Sequence, residues 1–162
     1  MHGDRHFRGL EQMYASAPCN HDLNPRLSVG QGEAEVRMTV TPSMHHAAHA
    51  VHGSFYFKML DDAAFFAANS LVEDVFVLTV SLTTELIRPI REGVLIAHGR
   101  VVHAGRTLIF ADSILSDGEG RVLAQGSGVF ARSAVPLDEK VGYIIVTGTE
   151  GTFPAIDRGE SV

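Results

Sequence analysis

Two adjacent carboxylates, Asp61 and Asp62, lie in the middle of a stretch that is otherwise almost entirely apolar. The stretch runs from Gly53 to Leu71, and its pattern predicts a helix. A helix that is apolar around most of its surface is normally buried inside a domain. A carboxylate facing such an interior needs a partner, or it serves as a general base or a nucleophile.

The periodicity of the helix separates the two carboxylates. At roughly 100° per residue, Lys58, Asp62 and Asn69 fall within an arc of about 40°, which is the natural polar edge. Asp62 is therefore predicted to face solvent or to pair with Lys58. Asp61 falls about 60–100° from that edge, among apolar neighbours. The alternative is that Lys58 pairs with both carboxylates, at i+3 and i+4, and that neither takes part in chemistry.

The elements around this helix are mostly strands. An amphipathic helix is predicted around Leu10, Met13 and Tyr14, ending near Pro18, whereas Pro25 and Gly30–Gly32 indicate loop or turn. Alternating or β-branched patterns predict strands over residues 33–40, 75–87, 94–103, 107–115 and 121–131, with a further strand suggested at 141–147.

The last three long strands are joined by short turns and so predict an antiparallel meander. One face of the final strand carries small residues, including Gly126 and Gly128, which indicates close approach to another element, such as the central helix. One buried helix against a long curved antiparallel sheet is an economical α+β arrangement.

Bulk properties narrow the classes of function. The chain of 162 residues is long enough for one domain with a core. A net charge of −6 argues against a general nucleic-acid binder or an anionic-membrane binder. The single cysteine, Cys19, cannot form an internal disulfide, and nothing around it suggests an activated nucleophile. The first residues lack a signal peptide's apolar core, so we expect a cytoplasmic protein.

Four short motifs follow one another between about residues 33 and 133. They are His52-Gly53-Ser54 with Asp61 nine positions after His52, Ile87-Arg88-Pro89, His103-Ala104-Gly105-Arg106-Thr107-Leu108 and Ala124-Gln125-Gly126. Together they resemble hotdog-fold acyl-CoA thioesterases, the family that includes phenylacetate-pathway thioesterases and their mammalian relatives. The resemblance implies a hotdog domain over residues 33–133, preceded by an N-terminal helix and loop (1–32) and followed by a C-terminal extension (134–162).

The resemblance also implies an activity, the hydrolysis of acyl-CoA thioesters to the free acid and coenzyme A. In the family, the first glycine after the motif histidine lends its N–H to an oxyanion hole, which selects Gly53. The helical carboxylate drives hydrolysis, and the spacing selects Asp61, as general base or nucleophile. Ser54 replaces the usual second glycine, which affects the shape of the pocket. No metal and no cofactor is implied beyond the coenzyme A of the substrate.

Further positions follow from the resemblance. His46 stands where some relatives have an asparagine that contacts the thioester carbonyl, and Thr79 stands where some have a hydroxyl that orients the attacking water. An ordinary strand threonine is the alternative for Thr79. The positions expected to bind substrate are His52, Ser54 and Phe65, with Arg106 and Arg88 near the coenzyme A phosphates. Solvated arginines and core aromatics are the alternatives.

Asp61 lies more than two helical turns from Gly53, so it is not expected to act on a carbonyl bound by its own helix start. The expectation is a site shared between two subunits of a homodimer, or of a dimer of dimers. An exposed strand edge would favour such self-association.

Three other hypotheses remain open at this point. His45, His46, His49 and His52 would hold a metal if their segment were helical, although no matched acidic or cysteine ligand is nearby. A hotdog enoyl-CoA hydratase or dehydratase is a second enzyme class. A non-catalytic acyl-CoA-binding protein would use the same pocket.

Overall fold

A long helix lying across one face of a six-stranded sheet is the central feature of the structure. The computed structural model describes residues 2–145. In chain order its elements are α1 (His2–Ser16), β1 (Arg26–Gly30), β2 (Glu33–Thr39), α2 (Gly53–Asn69), β3 (Val75–Leu86), β4 (Val94–Ala104), β5 (Leu108–Asp117) and β6 (Val122–Pro136). Short 3-10 turns cover Pro18–Asn20, Pro42–Met44 and Glu139–Val141. The predicted α+β hotdog architecture is confirmed.

The strands lie in the order β1-β2-β4-β5-β6-β3, and every neighbouring pair is antiparallel. The β4-β5-β6 meander is therefore as the turn signals predict. β3 follows α2 in the chain and pairs only with β6 within this sheet, so it forms one edge. β1 forms the other edge.

Small residues bring the helix and the sheet into close contact. A Cβ atom added at Gly99 of β4 would lie 2.1 Å from the carbonyl oxygen of Ala63, so only glycine fits there. The predicted close approach of β6 is also present, since a Cβ at Gly126 would lie 3.5 Å from the Cβ of Leu60. Among the glycines of the sheet, the closest approach to α2 is nevertheless on β4, where the sequence pattern did not place it.

Two predictions at the ends of the fold are wrong. Residues 26–30, predicted as loop, form strand β1, because a turn at Gln31–Gly32 with Gly32 at φ 74° folds the chain back onto β2. Residues 141–145 are not a strand, because the Glu139–Val141 turn ends with Gly142 in the left-handed conformation. Residues 146 and 147 of that predicted strand lie outside the described residues.

Strand β6 extends to Pro136, beyond the predicted end at Ala131, because its last residues pair with the start of β3. Neither helix in residues 2–145 has the length and apolar character needed to cross a membrane.

Candidate active site

The N-terminus of α2 presents a free backbone donor. His52 is the N-cap, and its Nδ1 accepts from the N–H of Ser54 at 3.1 Å and lies 2.8 Å from the Ser54 hydroxyl. No hydrogen bond among the described residues uses the N–H of Gly53. First-turn N–H groups have no partner within the helix and lie at the positive end of its dipole. Gly53 can therefore donate to an oxygen that carries negative charge.

The loop before α2 places His46 beside His52. The His46 N–H donates to the carbonyl of Ala50, and the two imidazole centroids are 6.5 Å apart. The Nδ1 of His46 accepts from the N–H of Ala48 at 3.1 Å. A neutral His46 therefore carries its proton on Nε2, on an exposed side chain, as a second donor near the helix start.

The structure brings Asp61 and Thr79 together from different elements. The Thr79 hydroxyl on β3 donates to Oδ1 of Asp61 at 2.9 Å. Burial raises the pKa of the Asp61 carboxyl above its ordinary value, and the neighbouring Asp62 charge acts in the same direction. The hydrogen bond from Thr79 and the charge of Lys58 oppose that rise without cancelling it.

Asp62 has quite different partners. Lys58 forms an ion pair with its Oδ2 at 2.7 Å, and the Tyr14 hydroxyl donates to the same oxygen at 2.7 Å. The predicted Lys58–Asp62 pairing is thus confirmed, and no ion pair joins Lys58 to Asp61 among the described residues. Burial and the Asp62 charge raise the pKa of Tyr14, so its hydroxyl stays protonated and donates.

A cavity of about 730 Å³ opens beside Asp61. Aromatic and aliphatic side chains line much of it, and Thr79 and the Lys58–Asp62 pair contribute polar atoms. The lining residues are Met13, Tyr14, Ser16, Ala17, Pro18, Cys19, Asn20, Lys58, Asp61, Asp62, Phe65, Phe66, Phe76, Leu78, Thr79, Glu139, Lys140, Val141 and Gly142. Its size and apolar character suit a small-molecule ligand.

Phe65 lies at the centre of the aromatic part of this cavity. Its ring centroid is 5.0 Å from those of Phe66 and Phe76 and 6.3 Å from that of Phe130. Phe130 belongs to the buried core, so one side of Phe65 is core and the other faces the cavity. Phe65 is therefore a core residue that also lines the cavity, and its role in binding substrate stays a prediction.

The remaining predicted site residues do not line this cavity. Gly53, His46, His52 and Ser54 lie at the helix start, where a Cβ at Gly53 would lie 2.9 Å from Leu86 at the end of β3. Asp61 and Thr79 lie towards the other end of β3. Within one chain the structure therefore separates the predicted donors from the predicted acid.

The two arginines occupy different ends of the sheet. Arg88 follows β3, and its Nη1 donates to the carbonyl of Val122 at 2.6 Å, so it has a structural contact. Arg106 is exposed in the turn between β4 and β5. The cross-strand register aligns Ala104 with Ile109, Phe130 and Thr79 in succession, which puts Arg106 at the Thr79 end of the sheet.

The histidine-rich segment is not a helix, so the spacing argument for a metal does not apply to it. His45 pairs with Val51 in an isolated bridge, and His49 has a φ of 60° in the turn between them. Within residues 2–145 no group of three or more His, Cys, Asp or Glu side chains is arranged to hold a metal ion.

Sequence reasoning did not identify several residues around Asp61. Tyr14 and Phe76 come to the cavity from α1 and β3, and residues 139–142 come from beyond the last strand. The only feature of the sequence that could have pointed to one of these residues was the hydroxyl of Tyr14 on an otherwise apolar helix face. Nothing local in residues 139–142 indicated that they would reach α2.

Comparisons with known proteins bear on the family and the fold of the chain. Residues 48–124, which include Gly53, Asp61, Thr79 and Arg106 but not His46, match the thioesterase superfamily. Among solved structures, the PaaI protein of E. coli, from the phenylacetic acid degradation operon, is 24% identical with a TM-score of 0.76, covering 83% of this chain and 97% of that chain.

Two further structures are similar. A thioesterase family protein from Silicibacter pomeroyi is 25% identical with a TM-score of 0.72, covering 78% of this chain and 96% of its own. A mutant thioesterase from Pseudomonas aeruginosa is 23% identical with a TM-score of 0.69, covering 78% of this chain and 94% of its own. The search of curated proteins returned no match.

Proposed function

We propose that this chain, which has the hotdog fold and matches the thioesterase superfamily over residues 48–124, hydrolyses acyl-CoA thioesters to the free acid and coenzyme A. The match to the thioesterase superfamily supports thioester hydrolysis in general. The observation that carries the specific proposal is the Asp61–Thr79 pair on the wall of a largely apolar cavity. A half-buried carboxylate with a raised pKa, next to space for a ligand, is a candidate for acid–base chemistry.

Asp61 is proposed to activate the attack on the thioester carbon. As a general base, it takes a proton from water while the water oxygen bonds to the carbonyl carbon, and the coenzyme A thiolate then leaves and is protonated. As a nucleophile, Asp61 itself bonds to the carbon, and the coenzyme A thiolate leaves and is protonated. Water then hydrolyses the resulting anhydride, which returns the Asp61 carboxylate and releases the free acid. In both cases the Thr79 bond fixes Oδ1 and leaves Oδ2 for the reaction.

The start of α2 is proposed as the oxyanion hole. The unengaged N–H of Gly53 and the Nε2–H of His46 are the donors for the carbonyl oxygen as it gains charge. His52 is proposed to position these donors, because its Nδ1 accepts from the N–H of Ser54 and so holds the first turn of α2 in place. The hydroxyl of Ser54 faces the same exposed region and is proposed to contact the substrate.

A second subunit is proposed to complete the site. Asp61 is about 12 Å along the helix axis from Gly53, too far for both to act on one carbonyl. Strand β3 is an open edge of 12 residues with exposed apolar side chains, Leu78 (51% exposed), Val80 (60%) and Leu86 (53%). Such an edge is a template for pairing with another chain.

The register of that pairing has a simple consequence. If two copies of β3 pair antiparallel about a two-fold axis between Leu82 and Thr83, Leu86 of one copy faces Thr79 of the other. Gly53 packs against Leu86 of its own chain. In such a dimer Gly53 would therefore lie near Asp61 of the second copy, which contacts Thr79. Each dimer would then contain two sites, each combining one chain's acid with the other chain's donors.

Arg106 is proposed to bind the coenzyme A phosphates, because it is exposed and lies at the Thr79 end of the sheet. Arg88 is the weaker candidate, since its guanidinium already bonds to a backbone carbonyl. The proposal includes no separate cofactor.

The first experiment measures thiol release from a panel of aliphatic and aromatic acyl-CoAs by the wild-type protein and by Asp61→Asn. Turnover that is lost in the variant supports the hydrolase. Tight acyl-CoA binding without thiol release from any substrate would instead identify a binding protein. A 2-enoyl-CoA is tested in parallel, and loss of its double bond without thiol release would identify a hydratase.

The two-subunit site is tested by mixing two variants. Gly53→Pro removes the N–H at the first helical position, where proline is well accepted and where His52 already has an extended backbone at ψ 141°. Random co-assembly of Asp61→Asn with Gly53→Pro would restore about a quarter of wild-type activity if sites are shared, because half the dimers contain one intact site of two. Absence of any recovery in verified mixed dimers would place the acid and donor in one chain.

A further inference from the structure

The cavity beside Asp61 has an outer wall that comes from both ends of the described chain. We define the terminal wall as residues 13–20, at the end of α1 and the turn after it, together with residues 139–142. Both segments lie outside residues 48–124, the part that matches the thioesterase superfamily. The inner side of the cavity, with Phe65, Phe66 and Phe76, comes from α2 and β3 within that part.

Buried polar contacts fix the terminal wall onto α2. His6 of α1 is buried, with Nε2 2.9 Å from the carbonyl oxygen of Asn69 and Nδ1 2.8 Å from the Tyr143 hydroxyl. The carbonyl can only accept, so Nε2 of a neutral His6 carries the proton and Nδ1 accepts from Tyr143. The ring thereby joins α1, the end of α2 and the segment after Val141.

Close packing between the two segments supports the same conclusion. A Cβ added at Gly9 would lie 2.5 Å from the ring of Tyr143, so glycine makes room for that ring. Gly142 packs in the same way against Ser16, where an added Cβ would lie 2.4 Å from the hydroxyl oxygen. The terminal wall is therefore a defined part of the fold.

The chemistry of the cavity indicates what it holds. Its inner side is aromatic and aliphatic, and the half-buried charges of Lys58 and Asp62 already neutralise each other, whereas Glu139 and Lys140 lie on its exposed outer side. An apolar group is stabilised by leaving water for such a surface, whereas a charged group would lose its hydration without a free partner. Asp61 lies on the cavity, so a group attached to a carbonyl at Asp61 is adjacent to this space.

We propose that the terminal wall is the specificity-determining element for the acyl group, with the cavity accepting apolar acyl chains larger than acetyl. The inference rests on the proposed hydrolysis at Asp61. It adds that residues outside the thioesterase match, Ala17 in particular, limit the size of the acyl group.

The test uses a large side chain at Ala17, which lines the cavity and is half-buried. The matched control is Ala15→Trp, at an exposed position in the last turn of α1, two residues earlier, that does not line the cavity. We expect Ala17→Trp to lower kcat/KM for decanoyl-CoA relative to acetyl-CoA by about tenfold or more, and Ala15→Trp to leave the ratio unchanged. An equal loss for every acyl length would overturn the proposal, because the cavity would then hold the part common to all substrates.

Cys19 gives a second readout that does not depend on turnover. It is the only cysteine of the chain, it is exposed, and it lines the cavity. We expect octanoate, but not acetate, to slow the reaction of Cys19 with N-ethylmaleimide in the wild-type protein, and Ala17→Trp to abolish this protection. Labelling rates unaffected by octanoate up to its solubility would overturn the proposal.

The two readouts also separate this inference from the proposed function. Suppose that no acyl-CoA is hydrolysed but octanoate protects Cys19 in the wild type and not in Ala17→Trp. The apolar subsite would then be supported and the proposed hydrolase activity would be rejected. If hydrolysis depends on Asp61 but neither acyl length nor octanoate responds to Ala17, the hydrolase stands and the terminal wall has no role in specificity.

Discussion

The first and third turns of α2 differ in almost every physical respect. The first turn begins at a glycine, carries the exposed Ser54 and has a backbone donor with no partner in the described structure. The third turn contains Asp61, which is half-buried, accepts a hydrogen bond from Thr79 and lies next to a cavity. The first turn therefore has backbone hydrogen-bond donors but no carboxylate, and the third turn has the Asp61 carboxylate but no free backbone donor. The contrast shows that a single chain holds two incomplete halves of the site we propose.

The largest expected effect separates the two neighbouring carboxylates. We expect Asp61→Asn to lower kcat/KM by a factor on the order of 10²–10⁴, because it removes the base or nucleophile while keeping the shape. Asp62→Asn should retain most of the activity and instead lose about 1 kcal/mol of stability through the Lys58 and Tyr14 contacts. Thiol release and chemical denaturation measure the two effects. Equal kinetic losses would remove the distinction between the carboxylates.

The next effect concerns the donor in the first turn. Gly53→Pro should lower kcat by a factor on the order of 10²–10³, as expected when one oxyanion donor is lost. Gly53→Ala is the matched control, because it keeps the N–H and adds only a Cβ that displaces the flexible tip of Leu86. If both variants are equally impaired, the steric change is responsible, and the Gly53 N–H is not a donor to the substrate.

A smaller effect links Thr79 to the pH dependence. The reaction needs ionised Asp61, whose pKa is raised by burial, so kcat/KM should rise with pH through a range above that of an ordinary aspartate. Thr79→Val removes the bond that lowers this pKa, so the acid limb should move to higher pH, with a loss of about tenfold at neutral pH. Thr79→Ser should restore the wild-type profile. An unchanged acid limb in Thr79→Val would mean that Asp61 is not the group that titrates.

The smallest effect is thermodynamic. Because the pKa of Asp61 is raised in the folded state, the folded protein holds this proton more tightly than the unfolded chain. Stability should therefore fall as pH rises from the unfolded pKa through the folded pKa. Asp61→Asn avoids this loss, so its Tm should exceed that of the wild type at neutral pH, and the difference should shrink in acid. A variant less stable than wild type at neutral pH would show that ionised Asp61 is stabilising.

Much of the helix and its polarity could be predicted from sequence. The 3.6-residue period directs each side chain of α2, and this local rule alone distinguished Asp62, paired with Lys58, from Asp61, which faces inwards. The long strands β3 to β6 were also predicted within a few residues, because β-branched runs and turn residues act locally. Strand β1 was missed because its five residues depend on pairing with β2 more than on their own composition.

The contact between Thr79 and Asp61 is an example of a feature that the sequence pattern could not predict. A β-bulge between Thr79 and Ser81 keeps both Thr79 and Leu82 on the side of the sheet that faces α2, although three positions along a regular strand reverse the face. No local pattern reports such a shift in register. The terminal wall is a similar case, because His6 and Tyr143 meet only when both ends of the described chain fold over α2.

The sequence by itself determined the direction of each side chain on its element, since that follows from local backbone geometry. Only the tertiary structure decided which of these side chains contact one another, since that depends on strand register and on contacts between distant segments.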